Sequence, residues 1–406
     1  MDESVRVRTA TDDDRRAIAD LLLFVFHEHA TDESRELEKM IIEPGRSLVA
    51  EDAGLVVGTA AAQTRDLTVP GAVVPAAHVT GVGVSPTHRR RGILTSMMRH
   101  QLTEIAAAGR EPLAVLWASE TAIYPRFGYG PAASRLRFDI LNREVRITGP
   151  AAPAGRLRLA APKDAQAELT AVHDRLRVHR VGWSSRPEYW WNYLLTDNDD
   201  QRDGGTEMRA VLYETPDGPI GYATWRVKDD WSIHGPAAEV RVREVVAADP
   251  GVYAELWRFL LSLDLARKAS FHFGAVDEQL QFMVDEPRKL GRSFTDSLWV
   301  RLIDLPAALE ARRYAGPVDA VIEVTDPIIE ANNGRWRLTG GPDKASCVRT
   351  GDAPDLACSI TELGAAYLGG TTLATLVTAG RVEQFTDNLP STAFTWHRQP
   401  SAIEVF

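Results

Sequence analysis

Val82–Gly83–Val84–Ser85–Pro86–Thr87–His88–Arg89–Arg90–Arg91–Gly92–Ile93–Leu94–Thr95 is the stretch that decides how this chain is read. Residues 78–85 form an apolar strand, which Pro86 ends. A turn with three arginines and Gly92 then opens an amphipathic helix over residues 92–108. The first amides of a helix have no partners within it, and the helix dipole places partial positive charge there. That end is therefore suited to an anion. Gly92 lets a phosphate approach the backbone closely, and the arginines add charge-assisted donors. A run of arginines alone reads as a solvated charge cluster; the helix start and Gly92 favour a pyrophosphate instead. The stretch carries neither G-x-x-x-x-G-K-[ST] nor G-x-G-x-x-G.

Upstream, Val5, Val7 and Thr9 alternate with Arg6 and Arg8, as in a half-buried strand. Thr11 before Asp12, Asp13 and Asp14 reads as a helix N-cap with acid in the first turn. Ile18, Leu21, Leu22, Val25 and Phe26 then give one apolar face. Residues 51–62 read as a hairpin and residues 113–119 as an apolar strand. The order β-α-β-β-β-α-β is an α/β layer unit of about 140 residues. Downstream, a hairpin turns at Asp217–Gly218, residues 239–246 form a strand, and a helix runs from Asp249–Pro250 to about residue 266. This second strand, corner and helix lack the basic glycine corner. Both a pseudo-repeat that lost its ligand loop and a coincidence of two common βα units remain open at this point. A third segment begins near Ile303, with strands over 318–324 and 334–338 and helical pieces over 362–368 and 371–379.

Composition narrows the function classes. The 406 residues suggest two or three domains, and 44% hydrophobic with 25% charged residues is ordinary for a globular protein. Two cysteines, Cys347 and Cys358, exclude a disulfide scaffold and a multi-thiolate metal site, and fit a reducing compartment. A formal charge of −10 speaks against nucleic acid and for a cationic partner. Residues 1–6 lack the apolar core of a secretory signal. Residues 363–380 are too polar for a membrane span, so a cytoplasmic protein is expected. His27, His29, His173, His179 and His272 show no metal-ligand spacing, and the 197–200 acidic cluster, read as a loop, lacks the glycine and terminal glutamate of a calcium loop. No metal is expected. Trp183, Tyr189, Trp190, Trp191 and Tyr193 have helical spacing and read as core rather than as a stacking platform.

R-x-x-G in this position resembles the acetyl-CoA motif of the GCN5-related N-acetyltransferase (GNAT) superfamily. With VSPTHRRRG at 84–92, ASETAIYPRFGYGPA at 118–132 and the final Phe406, essentially the whole chain resembles the Eis (enhanced intracellular survival) family. One departure is Leu94, where the general superfamily motif has Gly or Ala; the Eis-like pattern accommodates it. The resemblance implies an α/β and α+β protein of three domains. These are a catalytic GNAT domain at 1–146, a second GNAT-like domain at 147–298 without the acetyl-CoA loop, and a sterol-carrier-protein-like domain at 299–406.

It also implies residue roles. Arg89, Arg90, Arg91, Gly92, Ile93, Leu94 and Thr95 would hold the pyrophosphate of acetyl-CoA. Val82 and Val84 would flank a strand bulge and, with Gly83, pair with the pantetheine, one amide polarising the thioester oxygen. Ser119 would touch the pantetheine, unless it is only a capping serine. Tyr124 would be the general acid, with Tyr129 as scaffold. The α-carboxylate of Phe406 would be the base, Glu404 would face the cationic acceptor, and Phe24 and Phe26 would line the acceptor pocket. The implied reaction is acetylation of a primary amine, on an aminoglycoside-like molecule or a lysine, by direct attack on the thioester. The family also implies a homo-hexamer. The competing expectation is a non-catalytic acyl-CoA or lipid binder that uses the sterol-carrier-like domain.

Overall fold

A computed structural model describes residues 5–406; the leader reading at residues 1–6 falls partly outside them. β1 (Val5–Thr9) leads through a short turn, Asp12–Asp14, into α1 (Arg15–Val25). Asp14 caps that turn: its carboxylate accepts from the Thr11 amide at 2.8 Å and from Arg8 at 2.7 and 2.8 Å. α2 (Asp32–Ile41) follows. α2 has no clear signature in the sequence, because only Ser34, Leu37 and Ile41 are buried and the apolar stripe is thin. Next come β2 (Ser47–Asp52), β3 (Leu55–Val69) and β4 (Ala72–Val84). β4 starts six residues before the expected strand, since a tight turn pairs Val69 with Ala72. α3 (Ile93–Ala108), β5 (Leu113–Trp117) and β6 (Gly130–Pro131) complete this stretch.

The next elements are β7 (Ser134–Leu141), β8 (Arg156–Ala160), α4 (Gln166–Arg177), α5 (Glu188–Leu194), α6 (Asp199–Arg202), β9 (Arg209–Thr215) and β10 (Gly218–Lys228). A small hairpin, β11 (Trp231–Ser232) and β12 (Gly235–Pro236), precedes β13 (Ala238–Ala247), α7 (Pro250–Leu261), β14 (Ala266–Ala275) and β15 (Ser293–Asp296). The last are β16 (Leu298–Leu302), α8 (Leu305–Ala311), β17 (Val318–Thr325), β18 (Gly334–Gly340), β19 (Ala345–Arg349), β20 (Leu356–Ser359), α9 (Ile360–Ala366), α10 (Leu373–Thr378), β21 (Glu383–Gln384) and α11 (Ser391–Phe394).

Three main sheets result. Their orders are β1-β2-β3-β4-β5-β16-β6, β15-β7-β14-β13-β10-β9-β8 and β19-β18-β17-β20-β21. The chain divides into two compact units. The first holds residues 1–133, 297–400 and 405–406; the second holds 134–296 and 401–404. Two expected boundaries therefore move. The resemblance implies that β7 belongs to the first domain, but it pairs with β14 and β15 in the second sheet. The resemblance implies that β16 opens the third domain, but it pairs with β5 and β6 in the first sheet. Strand partnership across such sequence distances leaves no local signature.

In the second unit, β13, α7 and β14 form a parallel βαβ unit like β4, α3 and β5 in the first. α7 ends at Leu261, not near 266, because Leu265 takes a left-handed conformation before β14 begins. Residues 197–200 are not wholly loop: Asn198 caps the short helix α6. Trp183, Trp190 and Trp191 are buried core residues. The two helical pieces of the third segment are α9 and α10, and Gly369 turns the chain between them.

Candidate active site

β4 and β5 are parallel neighbours only over Ala76–His78, where they pair with Leu113–Val115. Beyond that they diverge, and β5 stays with β16 as far as Trp117 opposite Leu298. On the other side β4 keeps β3, but its register slips: Thr80 and Gly83 face Ala61 and Thr59. Three steps on β4 thus face two on β3, which is a bulge, and Gly81 takes φ +57° there. The bulge lies between Thr80 and Gly83, ahead of the expected place between Val82 and Val84. Past His78, no described strand pairs with β4 on its β5 side, which leaves an edge that an extended ligand could join. Val82, Gly83 and Val84 border a cavity of about 620 Å³.

The cavity runs to the start of α3. Pro86–His88 forms one turn, Arg90 takes φ +62°, and Gly92 caps α3 at φ +79°. The positive φ favours glycine, because other side chains crowd their own carbonyl in that region. Arg89, Arg90, Gly92, Ile93, Leu94 and Thr95 line the cavity. Arg91 does not. Its Nη2 donates to Asp52 Oδ2 at 3.2 Å, and His88 Nε2 reaches the same oxygen at 3.1 Å. Arg91 is therefore a strut that ties the loop to β2. His88, absent from the expected site, lines the cavity; its only sequence signal is its place between Thr87 and Arg89.

Tyr124 lies at the other wall, with Ser119. It opens the turn Pro125–Phe127, and its carbonyl accepts from the Phe127 amide at 3.0 Å and the Tyr129 amide at 3.3 Å. The side chain is 5% exposed. Burial raises its phenol above the usual pKa of 10, and the charge of Glu120 adds to this, while a hydrogen bond with Ser119 opposes it. The hydroxyl therefore carries its proton at neutral pH. Tyr129 stands edge-on to Tyr124 with ring centroids 6.0 Å apart. It is fully buried and does not line the cavity, in keeping with a scaffold role.

The acceptor-side expectations divide. Phe26 lines the cavity, but Phe24, 63% exposed, does not. The ring of Phe406 packs on His78 with centroids 4.7 Å apart, and the Arg65 guanidinium lies 5.7 Å from it. Glu404 needs correction. It is 4% exposed, and its Oε2 accepts from Arg186 Nε at 2.6 Å. Arg186 also donates to both oxygens of Glu244 and lies 4.6 Å from the Trp191 ring. A carboxylate so buried and so paired offers no free charge to a substrate. Its role is to pin residues 401–404 into the second unit, where Trp183 Nε1 also donates to Ser401 Oγ at 3.3 Å.

The matching end of α7 in the second unit is already satisfied. The Asp249 carboxylate accepts from the Gly251 and Val252 amides at 2.8 and 2.9 Å. A phosphate would be repelled by that carboxylate and would find those amides occupied. Among the described residues, no group of three or more His, Cys, Asp or Glu could hold a metal ion. No described helix is long and apolar enough to cross a membrane.

Residues 6–132 and 182–302 each match an acetyltransferase (GNAT) domain, and 305–402 match a sterol carrier protein domain. An uncharacterized N-acetyltransferase of Streptomyces avermitilis is 44% identical, over 93% of each chain. The N-acetyltransferase Eis of Mycobacterium tuberculosis is 36% identical, over 83% of each chain. This chain belongs to the Eis family of GNAT N-acetyltransferases. A solved Eis-family structure, Eis1 of Mycobacterium abscessus, is 33% identical and superposes with a TM-score of 0.85 over 99% of this chain and 100% of that one. The protein is thus an N-acetyltransferase with two GNAT domains and a sterol-carrier-like domain. The likeness of β13-α7-β14 to β4-α3-β5 is that of two GNAT domains, so coincidence is set aside.

Proposed function

We propose that this Eis-family enzyme transfers the acetyl group of acetyl-CoA to a primary amine of a cationic small molecule, such as an aminoglycoside, or of a lysine side chain. One observation carries the reading. An open strand edge at Val82–Gly83–Val84 runs into the anion-suited start of α3, and Tyr124 stands on the same cavity. A pantetheine would pair along the edge as an added strand, and the pyrophosphate would meet the α3 amides with Arg89 and Arg90. The neutral amine attacks the thioester carbonyl, and a β4 amide stabilises the oxyanion. The C–S bond then breaks, and the departing thiolate takes the Tyr124 proton. The nitrogen loses its proton to a base. The resemblance gives that task to the α-carboxylate at Phe406. The formal charge of −10 would steer polycations to the enzyme, less so at high salt.

A carrier role for the third domain has less support. Its interior holds the buried Arg312, with Tyr314, Tyr367 and Phe394 packed around the guanidinium.

Two expected results test the reading. Free-thiol release from acetyl-CoA should accelerate with polyamine acceptors, and one residue added after Phe406 should lower kcat. Thiol release that no amine stimulates would remove the acceptor class; an unchanged kcat would remove the carboxylate as base. Separately, Arg89→Ala should weaken acetyl-CoA binding by about tenfold, the scale of one charged hydrogen bond. Arg89 is exposed, so the melting temperature should stay the same; titration calorimetry and thermal melts measure both.

A further inference from the structure

The loop that carries Tyr124 does not stand on its own domain alone. Pro125, Gly128 and Gly130 each rest on residues from beyond position 300. Thr361 Oγ1, in the first turn of α9, donates to the Pro125 carbonyl at 3.3 Å. Gly128 has φ +83°, and a Cβ there would meet Ile360 Cγ2 at 2.7 Å and Arg301 Nε at 2.8 Å. A Cβ at Gly130 would meet the backbone of Thr361 and Ala365. These glycines are what lets the loop lie flat on that surface.

Arg301, on β16, is the fixed part of the surface. It is fully buried, and its Nη2 lies 2.7 Å from each oxygen of Asp326, which is itself buried. Nη1 donates to the Leu302 carbonyl at 2.7 Å. Asp326 is held in turn by the amides of Ile328 and Ile329 at 3.0 and 3.1 Å and by Asn332 Nδ2 at 2.8 Å. The turn that fixes Asp326 also places Ile328 and Ile329 against the core cluster of Tyr124, Phe127 and Tyr129. A buried ion pair contributes little stability compared with well-packed apolar residues. Its distinctive property is directional: a planar guanidinium held at several points cannot shift without breaking charged hydrogen bonds.

We propose that Arg301, locked by Asp326, is a positioning residue for Tyr124: with the first turn of α9 it forms the floor under residues 125–130 and so sets where the tyrosine hydroxyl stands. The sterol-carrier-like segment then has a task in the acetyl transfer. This rests on Tyr124 being the general acid. Misplacing a reacting group by about 1 Å can cost up to about 10²-fold in rate, so a small tilt of the floor is visible in kcat.

The test uses Arg301→Lys, which keeps the charge and loses the planar fork, and Thr361→Val, which keeps the shape and loses one hydroxyl. Each is made in the wild-type chain and in Tyr124→Phe. Measured are kcat by thiol release and the acetyl-CoA Kd by calorimetry. Expected is a drop in kcat of about tenfold for Arg301→Lys and about threefold for Thr361→Val, with Kd within about twofold in both. In the Tyr124→Phe background the same changes should alter kcat by less than about twofold, since residues acting through one group are not additive. If Arg301→Lys does not fold, Thr361→Val carries the test. Equal losses in both backgrounds, or no loss in kcat, would overturn the proposal. Full activity of Tyr124→Phe by itself would remove the general-acid reading, and the floor's role with it. A strong Tyr124→Phe defect with additive floor variants would instead remove the floor alone.

Discussion

Tyr124→Phe is expected to lower kcat by about 10²–10³-fold, the usual share of a general acid, and to leave acetyl-CoA binding nearly unchanged. The substitution keeps the ring that packs with Phe127 and Tyr129 and removes only the hydroxyl. In the proposed mechanism the leaving thiolate then loses its phenolic proton donor. The pH dependence gives an independent check. The acid must be protonated, so kcat is lost as pH rises through the pKa of Tyr124. Burial and Glu120 raise that pKa, which places the basic limb above pH 10. Glu120→Gln removes a charge that disfavours the phenolate, so the limb should move to lower pH. Ser119→Ala removes a hydrogen bond that favours the phenolate, so the limb should move higher. Shifts of the same sign in both variants would show that the limb reports another group.

Arg186→Met is expected to destabilise the protein by about 3–5 kcal/mol, because it leaves Glu244 and Glu404 buried without their cation. Denaturant unfolding followed by tryptophan fluorescence measures this, since Trp191 lies against the guanidinium and Trp183 bonds Ser401. Glu404→Gln should cost less, because Arg186 keeps Glu244. Adding Glu244→Gln and Glu404→Gln to Arg186→Met should recover part of the loss, because the two stranded carboxylates are then neutral, while Arg243 loses their charges. A triple variant as unstable as Arg186→Met alone would mean that lost packing, not stranded charge, sets the cost.

Much of the cavity wall from β4 to α3 was legible in the sequence because it is local. A strand end, Pro86, a basic turn and Gly92 lie within a dozen residues, and helix-end electrostatics follow from chain order alone. Cavity-lining positions from Arg89 to Thr95 follow from that reading, whereas Val82, Gly83 and Val84 came from the family resemblance and His88 was missed. Arg91 is the exception, because Asp52 on a neighbouring strand turns it away. α2 escaped the reading because its buried stripe is thin.

The surroundings of the C-terminal residues were less legible because they are built from distant pieces. Glu404 reads in sequence as an exposed acid next to the chain's last residues. Only folding brings Arg186 to it across 218 positions and cancels its charge. Strand partnership behaves alike: the alternating β7 and the wholly buried β16 would each fit either sheet, and the partner strands decide where each one goes. The sequence by itself determined the α/β character, the βαβ anion corner and the position of Tyr124 beyond an apolar strand. Tertiary structure alone decided where β4 and β5 part, which arginines reach the cavity and what lies beneath the Tyr124 loop. Helix ends and turns are set by energies between near neighbours in the chain, whereas sheet edges and buried ion pairs depend on partners that only the closed fold brings together.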